Sequence, residues 1–159
     1  MGETLAYEAS SNGAMVMLSA KRKEELERVA SGCRGETKVV SLDFTDQEIL
    51  KKATEEMLAV YGVDVLINNG GISMRGLAHE TDFSVDRRLM KIDYIGHVAL
   101  TKLVLPQMIK RGKRHLVAIS IVVGRFGFPI RAVYSAAKHP LNGFFPSLFF
   151  SIARKVSPT

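Results

Sequence analysis

The sequence predicts an α/β domain, a parallel sheet with helices on both faces. Three observations predict it. Helix and strand patterns alternate along the 159 residues, the usual sign of parallel strands joined by crossover helices. The strand-like runs are short and nearly all apolar, as expected of strands covered on both faces. Four run ends carry polar or glycine-rich sequence: Ser19-Ala20-Lys21-Arg22, Asp43-Phe44-Thr45, Asn68-Asn69-Gly70-Gly71 and Ser120. Ligands of such sheets sit beyond the carboxyl ends of the strands.

Each element has its own signal. Residues 3–10 read as a helix stopped by Asn12-Gly13. Residues 14–19 are an apolar run, read as a buried strand. Residues 21–31 are charged, with Leu26, Val29 and Ala30 on one side, and read as a helix. The β-branched stretch 37–42 is a strand. Thr45 is the expected cap of a helix over 46–61, with Glu48 in its first turn. Residues 63–68 are a strand running into the turn Asn68–Gly71. Residues 84 to about 111 read as one long helix kinked at Pro106. A strand follows at 115–121, then a loop at 124–129 and a helix over 134–153.

Composition narrows the class. Length and 47% apolar residues fit one globular domain. The single cysteine, Cys33, excludes an internal disulfide and fits a reducing, intracellular compartment. No apolar run reaches the roughly 18 residues of a membrane span, and the N-terminus lacks a signal-peptide pattern. No metal-ligand spacing is present. Net charge is +6, and residues 94–159 hold ten Lys or Arg and no Asp or Glu. An anionic surface partner is one reading of that asymmetry; solvated basic side chains are the other. The basic residues form no long tract and no aromatic residues interleave them, so no nucleic-acid partner is expected.

The strongest chemical signal is Tyr134-Ser135-Ala136-Ala137-Lys138. A Tyr and a Lys four apart share a helix face. A neighbouring ammonium stabilises the phenolate and makes Tyr usable as a proton donor or acceptor. Such pairs are also common on helix surfaces; the position after a strand and loop is what singles this one out. Gly70 and Gly71 let backbone approach a ligand closely, or simply turn the chain. Asp43 is placed to accept from an adenine amino group, or to sit as a carboxylate at a helix start.

Together and in this order, these residues resemble the short-chain dehydrogenase/reductase family, whose domain is a Rossmann-type doubly wound sheet. The resemblance covers nearly the whole chain, as a single incomplete dinucleotide-binding domain. The segments VDVLINNGGIS, YIGHVALTKLVLPQMIKR and YSAAKHPLNGFF are most similar to the membrane-associated branch containing the SDR family member 7 proteins, itself similar to 11β-hydroxysteroid dehydrogenase. The resemblance implies an oxidoreductase acting on a carbonyl or alcohol of a lipid-like or steroid-like substrate, and a parent protein associated with the endoplasmic reticulum membrane. It implies Tyr134 as the catalytic acid/base, and Lys138 as its support and the holder of the nicotinamide ribose. Asn68 and Gly70 match the turn beside the adenosine half of the cofactor, and Asp43 the adenine contact. Ser19, Lys21 and Arg22 follow the second strand, where NAD-binding members carry an acid for the ribose 2′-hydroxyl. Two basic residues there suit a 2′-phosphate and favour NADP(H), unless they only start a solvated helix. Helices 84–111 and 134–153 match those that build the family's homodimer.

Four departures set further expectations. Gly2 aligns with the last glycine of the family's opening T-G-x-x-x-G-x-G loop, so the first strand, central in the order 3-2-1-4-5, is expected to be lacking, with a gap in the sheet. Ile121 stands thirteen residues before Tyr134, where the family has a serine that hydrogen-bonds the substrate carbonyl. Asp93 stands where the family has Asn, and is placed to pair with Lys138. After Phe145 the chain departs from the pattern, with Pro146 inside a helix and the last strands lacking. Impaired catalysis, or a non-catalytic role in binding or dimerisation, is the expectation these departures carry.

Overall fold

The structure is a computed structural model that describes residues 1–113, 115–122 and 125–154. It divides into two compact units. The first holds residues 1–64 and 99–113, the second residues 65–98 and the described residues from 115 on.

In the first unit, α1 (Gly2–Ser11) leads to β1 (Val16–Ala20) through Asn12 and Gly13, whose φ of 82° suits a residue without a Cβ. Next come α2 (Lys23–Ser31) and β2 (Thr37–Ser41). The strands run parallel in register Val16↔Thr37 to Ala20↔Ser41. Ala6, Leu18, Leu26 and Val29 form the buried core here, with Tyr7, Val16 and Val39 packed against it. Arg28 of α2 forks onto Glu3 of α1 with bonds of 2.9 and 3.0 Å. That fork and the Tyr7 hydroxyl hold the Glu3 carboxyl down to about 2. In α3 (Gln47–Val60), Leu50, Ala53, Thr54 and Met57 are buried at the spacing of one helix face. Its cap is Asp46, which accepts from the Glu48 and Ile49 amides; the expected cap, Thr45, instead donates its hydroxyl to Asp43. Asp46 sits one residue nearer the first turn, within reach of its N–H groups.

In the second unit, β3 (Val65–Asn68) and β4 (His115–Ala118) pair in parallel, Val65↔His115 to Asn68↔Ala118. Among the described residues, β1 pairs with β2 and β3 with β4, so the sheet is two two-stranded pieces. Val65, Ile67 and Val117 share one face and are 52%, 40% and 39% exposed. That face is not covered as the apolar pattern suggested. The stretch read as one helix is α4 (Phe83–Met90), a π-helical turn (Lys91–Ile95) and α5 (Gly96–Arg111), of which residues 99–111, Pro106 among them, belong to the first unit. Asp82 caps α4 by accepting from the Ser84 amide. The wider π turn, a feature frequent at functional sites, carries the fully buried Asp93. The last helix, α6 (Ala132–Arg154), packs on that turn and on α4 and runs through Pro140 and Pro146. Of the loop expected at 124–129, residue 124 lies outside the described residues, as do 155–159. No described helix is long and apolar enough to cross a membrane.

Candidate active site

The residues expected to bear chemistry fall into one group in each unit. In the second unit, the end of β3, the π turn and α6 meet around the Asn68–Gly71 turn. Asn68 is 3% exposed, as the last residue of a strand whose backbone carbonyl accepts from the Ile119 amide at 2.9 Å. Lys138, one helical turn after Tyr134 on α6, is 4% exposed and reaches back to this turn. Its Nζ lies 3.4 Å from Asp93 Oδ1 and 3.5 Å from the Gly70 carbonyl. Asp93 Oδ1 also accepts the Ile72 amide at 3.0 Å. A Cβ on Gly71 would collide with Asp93 and press on Lys138, so this buried pair requires glycine there.

The pairing changes the expected role of the lysine. The ammonium was expected to lower the Tyr134 pKa, but its charge is met by Asp93. Burial, followed by the Asp93 charge, pushes the phenol above its ordinary 10, and Arg131 opposes them. The Arg131 guanidinium lies 5.6 Å from the centre of the Tyr134 ring. Asp93 is itself raised, burial outweighing the attraction of Lys138.

His97, not singled out by the sequence, completes the network. It is 1% exposed, with Nε2 2.8 Å from the Gly70 carbonyl, to which an Nε2–H donates, and Nδ1 3.2 Å from Asn68 Oδ1. Burial holds the ring neutral, with its pKa down to about 4. Its only sequence signal was a polar residue inside the apolar stretch Ile95–Leu100.

Tyr134 opens onto a cleft of about 560 Å³ lined by Ile121, Val122, Phe128, Ile130, Arg75 and Arg131. Ile121 therefore faces the same space as the phenol. Ser120, its neighbour, has a buried hydroxyl without a hydrogen-bond partner and does not line the cleft. The two side chains diverge, as adjacent residues at a strand end do.

In the first unit, Ser19, Lys21, Arg22 and Asp43 gather at the carboxyl ends of β1 and β2. Lys21 Nζ is 2.7 Å from Asp43 Oδ2, and Asp43 Oδ1 accepts both the amide and the hydroxyl of Thr45. Lys21 is the first cause of an Asp43 pKa near 2. The two residues expected to meet different parts of a cofactor thus meet each other. Arg22, at the N-cap of α2, is exposed, and Ser19 directs its hydroxyl to Met57 Sδ at 3.6 Å. No carboxylate follows β1 directly, and Lys21 keeps 73% of its side chain exposed, so the set fits an anionic group with Lys21 shared. Among the described residues, no group of three His, Cys, Asp or Glu is placed to hold a metal.

The family model for short chain dehydrogenases matches residues 1–157. A dehydrogenase/reductase SDR family protein 7-like from Drosophila melanogaster is 42% identical over 98% of this chain and 50% of its own length. The human dehydrogenase/reductase SDR family member 7 is 41% identical over 96% of this chain and 48% of its own. The chain thus spans about half the length of these relatives. A short-chain dehydrogenase from Streptomyces avermitilis superposes with TM-score 0.90 and 33% identity, covering 96% of this chain and 57% of that one. A metagenomic short-chain oxidoreductase in complex with NADP gives 0.89 and 27%, covering 96% and 72%.

Proposed function

The chain belongs to the short-chain dehydrogenase/reductase family of Rossmann-type oxidoreductases, and we propose that it carries an NADP(H)-preferring carbonyl-reducing site centred on Tyr134 whose turnover is impaired. The observation that carries the proposal is the shared cleft: Tyr134 and Ile121 face one largely apolar space, suited to a lipid-like or steroid-like ketone or alcohol. Bound NADPH would supply the hydride. Tyr134 would donate its O–H proton to the carbonyl oxygen that becomes the hydroxyl. The raised pKa disfavours the base role in alcohol oxidation and also weakens the phenol as a proton donor, which is part of the impairment.

Lys138 has three N–H donors. Two face Asp93 and Gly70, leaving one for a ribose hydroxyl. The Asn68–Gly70 turn would lie beside the adenosine half, and Lys21 and Arg22 would pair with a 2′-phosphate. Asp43 Oδ2 keeps a lone pair for an adenine amino group.

Impairment follows from Ile121, which offers the substrate carbonyl no donor, and from the Asp93 charge near Tyr134. The same two observations favour a second reading, a non-catalytic binding or dimerising role. Exposed Ile95, Ile109, Phe149 and Phe150 on the helical segments 84–111 and 134–153 support a homodimer through them. The lone Cys33 supports an intracellular setting.

NADPH fluorescence titration of the chain, followed by NADPH oxidation with a panel of apolar ketones, tests the proposal. Saturable binding tighter than that of NADH, with slow turnover lost in Tyr134→Phe, is the expected result. Binding without turnover establishes the second reading, and no binding of either cofactor overturns both cofactor assignments.

A further inference from the structure

We propose that the cleft beside Tyr134 selects carbonyl compounds that carry a carboxylate on an apolar body, with Arg75 and Arg131 reading the anion. The proposal deepens the reading above and rests on it for the chemistry at Tyr134; the anion site itself is a separate claim.

Three features point to it. Besides Tyr134, the cleft lining divides into an apolar set, Ile121, Val122, Phe128 and Ile130, and two guanidinium groups, with no Asp or Glu among the described residues that line it. Among the described residues, neither Arg75 nor Arg131 has an ion-pair partner. Arg131 spends one N–H on the Ser73 hydroxyl at 2.7 Å, which fixes its head and leaves the rest of its donor fork available.

The backbone is held in place around them. Ile130 is a β-branched residue at φ 56°, a left-handed conformation that such residues rarely adopt. The Gly76 amide, donating to the Ile130 carbonyl at 2.9 Å, ties the strained residue to the segment bearing Arg75. Strain of this kind persists where surrounding structure enforces it, commonly beside a ligand. Arg131 immediately precedes α6, so the positive end of a 23-residue helix adds to the two cations. An uncharged steroid or ketone gains less from this arrangement than an anion does. A carboxylate accepts from either guanidinium while its chain lies on the apolar lining.

The test compares decanoate with its methyl ester by saturation-transfer NMR and calorimetry on the chain. Neither probe has a ketone, so binding is read without catalysis. Decanoate is expected to bind about three- to tenfold more tightly than the ester, the scale of partly exposed charge-assisted bonds. That preference should shrink in Arg75→Gln and vanish in Arg75→Gln/Arg131→Gln. Equal binding of acid and ester, or an unchanged ratio in both variants, overturns the proposal. Should the double variant fail to fold, Arg75→Gln decides alone, since Arg75 is exposed. NADPH-driven reduction of 9-oxodecanoate and its methyl ester separates the two claims. A decanoate preference with neither compound reduced keeps the anion site and rejects the reductase. Equal reduction without a decanoate preference does the reverse.

Discussion

Replacing Asp93 by Asn should lower the Tyr134 pKa. The perturbation is conservative in shape: the amide oxygen still accepts from the Ile72 N–H and the Lys138 ammonium, the two partners of Oδ1. The amide nitrogen supplies a donor where the buried Asp93 Oδ2 has no hydrogen-bond partner. What changes is the charge: the buried Lys138 ammonium loses its counterion, so a stability loss of about 3–5 kcal/mol accompanies the substitution. Asp93 raises Tyr134 directly, and it also cancels the Lys138 ammonium 3.4 Å away. Without it, Tyr134 faces an uncompensated cation one helical turn along α6, where the Cβ atoms of such a pair lie about 5–6 Å apart. A unit charge at ~6 Å in an effective dielectric of about 40, between the protein and water values, is worth about 1.4 kcal/mol. Tyrosine ring carbon-13 shifts, with Tyr134→Phe identifying the resonance, follow the titration in both forms. A Tyr134 pKa unchanged or higher in Asp93→Asn would refute the reasoning. It would show that Lys138 is too well screened from the phenol to support it, whatever its partner.

Three further outcomes are expected. Ile121→Ser should raise NADPH oxidation with an apolar ketone by an amount on the order of 10², the usual worth of one such donor, measured at saturating cofactor; equal rates would mean that the cleft shared by residues 121 and 134 is not where the carbonyl sits. Lys21→Gln should weaken NADPH binding by up to about fivefold, the scale of an exposed pair, and leave NADH binding unchanged, read by paired fluorescence titrations; a constant ratio removes Lys21 from cofactor choice. His97→Gln should flatten the thermal stability profile at acid pH. The folded pKa of His97, about 4, lies below its ordinary 6.5, so its contribution is fully present above 6.5 and is lost as pH falls through about 4. The wild-type midpoint should fall across that window by a few degrees more than that of the variant, and parallel curves would contradict a buried neutral ring.

The sequence carried the element order because strands and helices announce themselves by period and by their ends. Asn12-Gly13 and the turn after Asn68 lie where the pattern put them. It could not carry what depends on a neighbour. Val65, Ile67 and Val117 are apolar whether or not anything lies over them, so pattern alone gave them a cover that the described residues do not provide. Thr45 and Asp46 are equally good caps in sequence, and the helix start selects between them. A π turn costs one extra residue inside a continuous helical pattern, which periodicity over Ser84–Arg111 absorbs without trace. His97 and the two arginines of the cleft had no motif; only the folding of separate segments together gives them partners.

The site residues illustrate the same limit in their charges. Assigning Lys138 to the phenol and Lys21 to a phosphate treats each ammonium as free to meet its ligand. Both already hold a carboxylate, and burial decides what that means. The Lys21–Asp43 pair sits with Lys21 73% exposed, where such a contact is worth about 0–1 kcal/mol, so an incoming anion can share the lysine at little cost. The Lys138–Asp93 pair is 4% and 0% exposed, and separating it would strand a charge at a cost of about 3–5 kcal/mol. That pair stays closed, and a ligand meets only the remaining N–H of Lys138. Substitution at Lys21 should therefore be felt in affinity, and substitution at Asp93 in the titration of Tyr134. That division follows from exposure and distance, neither of which the spacing Tyr-x-x-x-Lys contains.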